Sequence, residues 1–254
     1  MDGIGQGPRV AFTLPIFGGI EITETIVIGW LIIAAVFLIC RYLTSSLEKV
    51  PTKKRQIIAE MFVGFVNNMV ETTMGKKWKH YAPYIATILV YAVLGALVSL
   101  LGLRSMTADF NVTLTWALMT FVLITYYKIR SGGVLGYCKG FTSPFAVMLP
   151  LNLLSEIATP LSMAFRMFGN ISGGAVITSL LYSALAALSK LCHVAFEFGG
   201  IGVNLMQLFI PAVLSIYFDL FSGCIQAYIF ATLTMVYVSG ADDSPDETEA
   251  PAAS

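Results

Sequence analysis

The sequence predicts an all-α integral membrane protein. It has about five membrane helices plus one interfacial amphipathic helix, and the last two membrane helices form a long, strongly tilted hairpin. Three observations predict this. Of 254 residues, 57% are hydrophobic and 12% charged, about half the charge of a soluble domain, and the mean hydropathy is +0.79. The apolar runs are long enough to cross a ~30 Å hydrocarbon layer as helices. Basic residues cluster between those runs, at Lys49 to Arg55, Lys76 to Lys79 and Lys128 to Lys139, while acids gather from Asp242 to Glu249.

The whole chain, residues 1–254, reads as one membrane domain. Residues 1–24 begin acidic and lack the basic n-region of a cleaved signal peptide. The Gly18-Gly19 pair in FTLPIFGGIEIT signals a turn, so a short hairpin on the membrane surface is expected. The first span covers residues 25–41. The basic RYLTSSLEKVPTKKRQ that follows is cytoplasmic by the positive-inside rule, which leaves the N-terminus outside. Over residues 56–73, Ile57, Ile58, Met61, Phe62, Phe65, Val66, Met69 and Val70 recur at helical spacing between polar residues. That pattern predicts a helix lying in the cytoplasmic interface.

The second span covers residues 84–103, and GLRSMTADFN makes a short outside turn. The third span, residues 112–127, returns inward to Lys128, Arg130 and Lys139, so 11 of the 15 basic residues fall inside. GVLGYCKGFTSP reads as a Gly/Pro-rich loop. Residues 144–239 form the hairpin. From Pro144 to Lys190 only Pro150 and Pro160 interrupt the apolar run. A helix of 30 residues is already about 45 Å long, so this one must tilt or bend at its prolines. HVAFEFGGIG reads as the turn, and the final helix runs to about Ser239. Residues 240–254 are an acidic, disordered cytoplasmic tail.

The four cysteines, Cys40, Cys138, Cys192 and Cys224, have no metal or redox spacing and read as buried thiols. His80 and His193 stand alone. No cofactor and no nucleic-acid partner is expected. A GxxxxGK loop is absent, so the chain itself should bind no nucleotide.

The chemistry centres on PLSMAFRMFGNISGG, Pro160 to Gly174. Ser162, Arg166, Asn170 and Gly173 follow helical spacing and form a narrow polar, small-residue stripe. An arginine at the bilayer centre costs roughly 2.5–3.5 kcal/mol on insertion scales and keeps its proton. No acid lies one turn away on the same helix, so its partner must come from another helix or another subunit. The last helix has a second stripe: Ser215, Asp219, Ser222/Gly223 and Gln226. A turn near residue 196 pairs positions whose numbers sum to about 392 in an antiparallel arrangement. Gln226 then lies opposite Arg166, and Asp219 opposite Gly173 to Ala175. Gly169, Gly173, Gly174 and Gly223 favour close approach of another backbone, and for Gly169, Gly173 and Gly174 helix packing within this chain comes first.

With these residues in view, the chain resembles subunit a of the F-type ATP synthase. PLSMAFRMFGNISGG together with FDLFSGCIQAYIFATLTMVYVS carries the resemblance, closely over Glu156 to Ser239 and more loosely through KVPTKKRQIIAEMFVGFV and GLRSMTADFNVTL. The resemblance implies a stator facing a rotating ring of c subunits, each with one carboxylate. It also implies b-type peripheral stalk subunits, the rest of the F-type complex and a lipid bilayer as partners. Arg166 would hold each ring carboxylate in turn, between two offset aqueous half-channels that couple proton flow to rotation and ATP synthesis. Asn170 and Gln226 match polar positions near that arginine. Asp219 matches a position where relatives carry glutamate or histidine, and would relay protons in the outer half-channel. The chain departs from some relatives at Ala175, where they place a second ionisable group. Ser162 matches an inner polar position, and Asn152, Ser155 and Glu156 would line the inner half-channel. The pattern suggests a bacterial plasma membrane.

Two other classes compete. A secondary transporter would show an internal repeat and paired broken helices, and neither is seen. A haem- or cluster-bearing respiratory subunit would need histidine pairs or cysteine spacing that the sequence lacks.

Overall fold

The computed structural model describes residues 10–14, 20–45, 48, 53–101, 103, 105–142, 145–192, 197–198, 201–202 and 216–242. Strand β1 (Val10–Leu14) pairs antiparallel with β2 (Ile20–Thr23), while Gly18 and Gly19 lie outside the described residues. Helix α1 (Glu24–Thr44) leads to α2 (Lys54–Met74), a 3-10 segment (Lys76–Tyr81) and α3 (Ala82–Leu97). Helix α4 is Phe110–Thr142 and α5 is Leu149–Cys192. A two-residue hairpin, β3 (Glu197–Phe198) with β4 (Ile201–Gly202), stands where the turn is expected. A π-helical turn (Ile216–Ser222) opens into α6 (Gly223–Ser239). Among the described residues, five segments are long and apolar enough to span: Glu24–Thr44, Lys76–Leu101, Phe110–Thr142, Leu149–Leu185 and Leu220–Ser239. The fold is an all-α membrane protein. The tail beyond Asp242, Ser215 and His193 lie outside the described residues.

Local chemistry sets the helix ends. Gly75, with φ of 90°, ends α2 and returns its N–H to Glu71 O at 3.2 Å, a glycine stop that other residues reach only with strain. Pro83 occupies the first turn of α3, where its missing N–H costs nothing. Asp109 opens α4 by accepting the Asn111 N–H at 3.0 Å. Its other oxygen accepts the Thr25 hydroxyl at 3.0 Å, so one carboxylate both starts α4 and fastens the foot of α1.

The core gathers Val66, Val70, Ile85, Ala117, Met167, Phe230 and Met235 from α2 to α6. Helix α1 stands outside it, held through Ile28 and Ile32 against Met106. Its exposed Trp30, Leu31 and Phe37 suit a lipid-facing helix. Helices α3 and α6 cross where Gly223 meets Ala96. A Cβ built on Gly223 falls 2.7 Å from Ala96 Cβ, closer than any real contact. Gly223→Val should therefore destabilise the chain by about 1–3 kcal/mol, the usual cost of overpacking. A lowered melting temperature of the detergent-purified chain checks this.

Two expectations are corrected. The stretch read as a loop, GVLGYCKGFTSP, is helical through Thr142. Gly133, at φ 70° and ψ 166°, kinks α4, after which the helix restarts and lies against the beginning of α5. The glycines mark a hinge one residue wide, and packing supplies the rest. Second, Cys40 and Cys138 are exposed and Cys224 is intermediate, because an apolar thiol on a membrane helix is satisfied by lipid and needs no protein cover. The apolar face of α2 meets two surroundings. Val66, Met69 and Val70 join the core, while Ile57, Ile58, Met61 and Phe65 remain exposed.

Candidate functional site

Arg166 sits on α5 about 25 Å along the axis from Leu149 at 1.5 Å per residue. That helix has 44 residues, about 66 Å, so it cannot stand upright in a ~30 Å layer. Arg166 is exposed. Among the described residues no hydrogen bond or ion pair engages its guanidinium. Gly169 and Gly173 flank it, and a Cβ on either would find nothing within 4 Å among the described residues beyond its own helix backbone. Ser162, Phe165, Ile177 and Leu180 share the exposure. Gly169 is exposed and Gly173 half-buried, and among the described residues nothing packs on either, against the packing within the chain expected of them. Gly174, by contrast, is buried. Only 11% of the α5 window is buried by the rest of the chain, against 44% for α6, so the helix with the costliest charge is also the least covered.

The other side of α5 docks on α6. Asn170 Nδ2 donates to Ser222 O at 3.2 Å, and Ser222 Oγ donates to Asn170 Oδ1 at 2.6 Å. This reciprocal pair obeys the antiparallel register expected from a turn near residue 196. It also divides the sequence stripe: Ser162 and Arg166 face outward, while Asn170 belongs to the hairpin seam. One turn further along α6, Gln226 is buried at 7% exposure. Its Nε2 finds no hydrogen-bond partner among the described residues. Gln226 and Arg166 share a level, but no hydrogen bond joins them. Asp219 lies in the π-helical turn, where i→i+5 bonding widens each turn. The α-helical spacing that put Asp219 and Gln226 on one face therefore does not hold there, and the Asp219 side chain lies outside what the structure describes.

Toward the basic end, Asn152, Ser155 and Glu156 line one cavity of about 430 Å³ with Lys128 and Tyr137. Lys128 Nζ lies 2.7 and 2.9 Å from the Glu156 oxygens, and Tyr137 Oη donates to Glu156 Oε1 at 3.4 Å. Asn152 Nδ2 donates to Phe141 O at 2.9 Å, tying the restarted half of α4 to α5. A smaller cavity, about 200 Å³, shares Lys128 and Glu156 and extends to Thr159. The two bring polar space to within seven residues of Arg166, about 10 Å along α5. Sequence reasoning missed Lys128 and Tyr137. Lys128 served there as a topological marker, and the signal that could have found it was Glu156, an acid in an apolar run that needs a counter-charge.

Five membrane-length helices among the described residues, with a cation exposed within the longest of them and polar cavities approaching it, define a multi-pass membrane protein. The sequence model of the family described as ATP synthase A chain matches residues 25–239. The chain belongs to that family, and so to the ion-translocating membrane sector of the F-type ATP synthase. It is 30% identical over 267 residues to the ATP synthase subunit a, sodium ion specific, of Propionigenium modestum, covering 92% of this chain and 85% of that protein. It is 33% identical to the ATP synthase subunit a of Limosilactobacillus reuteri, covering 90% and 96%. Against ATP synthase subunit a 2 of a Bradyrhizobium strain it is 32% identical, covering 93% and 96%.

Proposed function

We propose that this chain is the stator against which a ring of c subunits turns, with Arg166 as the fixed charge that each ring carboxylate meets. The observation that carries the reading is the uncompensated guanidinium on an open helix face. A permanent cation in a low-dielectric layer is tolerable where an acid neutralises it, and the open glycine face leaves room for a helix to bring one. The ring carboxylate approaches ionised, pairs, and leaves as the next arrives. The positive charge also bars protons from crossing directly between the two half-channels.

In this reading the cavity around Glu156, Asn152 and Ser155 is the inner half-channel, reaching through Thr159 and Ser162 toward Arg166. Asp219 relays protons on the outer side, and Gln226, buried with a spare N–H, lies at the arginine's level to steady water or a ring carboxylate. Asn170 holds the hairpin in register. The Glu156 end and the C-terminus then lie in the cytoplasm and the N-terminus outside, in a bacterial plasma membrane, a reading supported by the basic clusters. The b-type stalk subunits keep the chain from turning with the ring.

The test is ATP-driven transport by the purified whole complex in sealed vesicles, with pH and sodium varied. Acidification of the lumen without added sodium is expected. Transport that follows sodium would replace the proton with the ion named for the Propionigenium relative. Ion transport by this chain reconstituted alone would overturn the stator reading.

A further inference from the structure

A second cavity, about 380 Å³, lies at the same basic end and shares no lining residue with the Glu156 cavity. Its floor is aromatic. Trp78 and Tyr127 are buried, with ring centroids 4.8 Å apart at 60°, and His80 stacks on Trp78 at 6.0 Å. Such rings concentrate where membrane meets water. Its rim is charged. Lys77 Nζ lies 2.7 Å from Asp242 Oδ2 and 5.8 Å from the Trp78 ring centroid, so Lys77 and Asp242 cancel to first order. Arg130 also lines the cavity. It is exposed and, among the described residues, engages no hydrogen bond or ion pair. The cavity is therefore net positive through a guanidinium, whose planar fork fits a phosphate bidentately.

What distinguishes a lipid from a free anion is the surface beside it. Arg130, Tyr126 and Val122 follow one another at four-residue intervals on α4, with Met119 a turn further. They therefore share one face. Met119 is 53% exposed, Val122 63% and Tyr126 54%. An uncovered apolar track thus runs along a membrane helix and ends at an unpaired guanidinium over an aromatic floor. We propose that this cavity binds the phosphate of an anionic phospholipid, with an acyl chain lying along Met119, Val122 and Tyr126. The site depends on membrane embedding alone and not on the roles given to Arg166 or Glu156.

The experiment uses the purified complex, stripped of lipid in detergent. It is incubated with phosphatidylglycerol, phosphatidylcholine or inorganic phosphate, and lipid retained on this chain is counted by native mass spectrometry. Phosphatidylglycerol should be retained over phosphatidylcholine. Arg130→Gln should weaken retention about fivefold, the usual effect of one interfacial charge. Arg130→Lys, keeping the charge without the fork, should fall between. Lys54→Gln removes a charge at the same membrane end outside the cavity and should change nothing. Equal losses from Lys54→Gln and Arg130→Gln would reduce the effect to diffuse surface potential and overturn the site. Equal retention of the two lipids would overturn it too. Displacement by millimolar inorganic phosphate would reassign the cavity to free phosphate and sink the lipid proposal.

Discussion

Arg166→Ala is expected to reduce coupled ion transport to background while the complex still assembles. Both halves follow from the same geometry. Among the described residues no hydrogen bond or ion pair engages the guanidinium, so folding has none to lose there, and Arg166 is exposed. Removing it even relieves a desolvation cost of a few kcal/mol. On the proposed reading nothing then holds a ring carboxylate ionised in apolar surroundings, since burial alone drives a carboxyl to its neutral form. Arg166→Lys separates charge from permanence. An ammonium keeps the sign, but its pKa falls readily on burial, so a large loss is expected there as well. The measurement is ATP-driven acidification of vesicles, with subunit content of the purified complex as the assembly control. Pumping retained in the alanine variant would remove Arg166 from the mechanism. Loss of assembly would make it a structural residue.

Gly173→Leu is expected to leave the chain folded and to cut transport about five- to 150-fold. A Cβ at Gly173 meets nothing within 4 Å among the described residues beyond its own helix backbone, and glycine in a helix interior is about 0.8–1.0 kcal/mol worse than alanine. The melting temperature of the isolated chain should therefore hold or rise. If a ring helix passes this face, four added carbons intrude on it at an overpacking cost of about 1–3 kcal/mol, roughly five- to 150-fold. Gly223→Val should show the opposite profile, a weaker chain through its clash with Ala96. The pair tests which glycine face belongs to the fold and which to the partner. Unimpaired transport in Gly173→Leu would mean that nothing packs closely there.

Much of the site was legible from one dimension. Arg166 is conspicuous because a fixed charge in an apolar run has few explanations, and the Asn170–Ser222 register follows from the position of one turn. Glycines were the weak point. Spacing cannot tell a glycine packed on its own chain from one awaiting another, and Gly223 and Gly173 fall on opposite sides of that divide. Lys128 was equally opaque, because its pairing with Glu156 spans two helices and a kink at Gly133.

The sequence by itself determined that the chain is an all-α membrane protein and that Arg166 has no acid within one turn of it on its own helix. It could do so because hydropathy and local spacing are properties of consecutive residues. Only the tertiary structure decided which side of each helix is covered. It turned Asn170 into the hairpin seam and left Arg166 open, joined Lys128 to Glu156, and set Arg130 above a floor of buried rings. Those outcomes depend on the packing of elements distant in sequence, where contact between side chains, rather than their order along the chain, sets the energy.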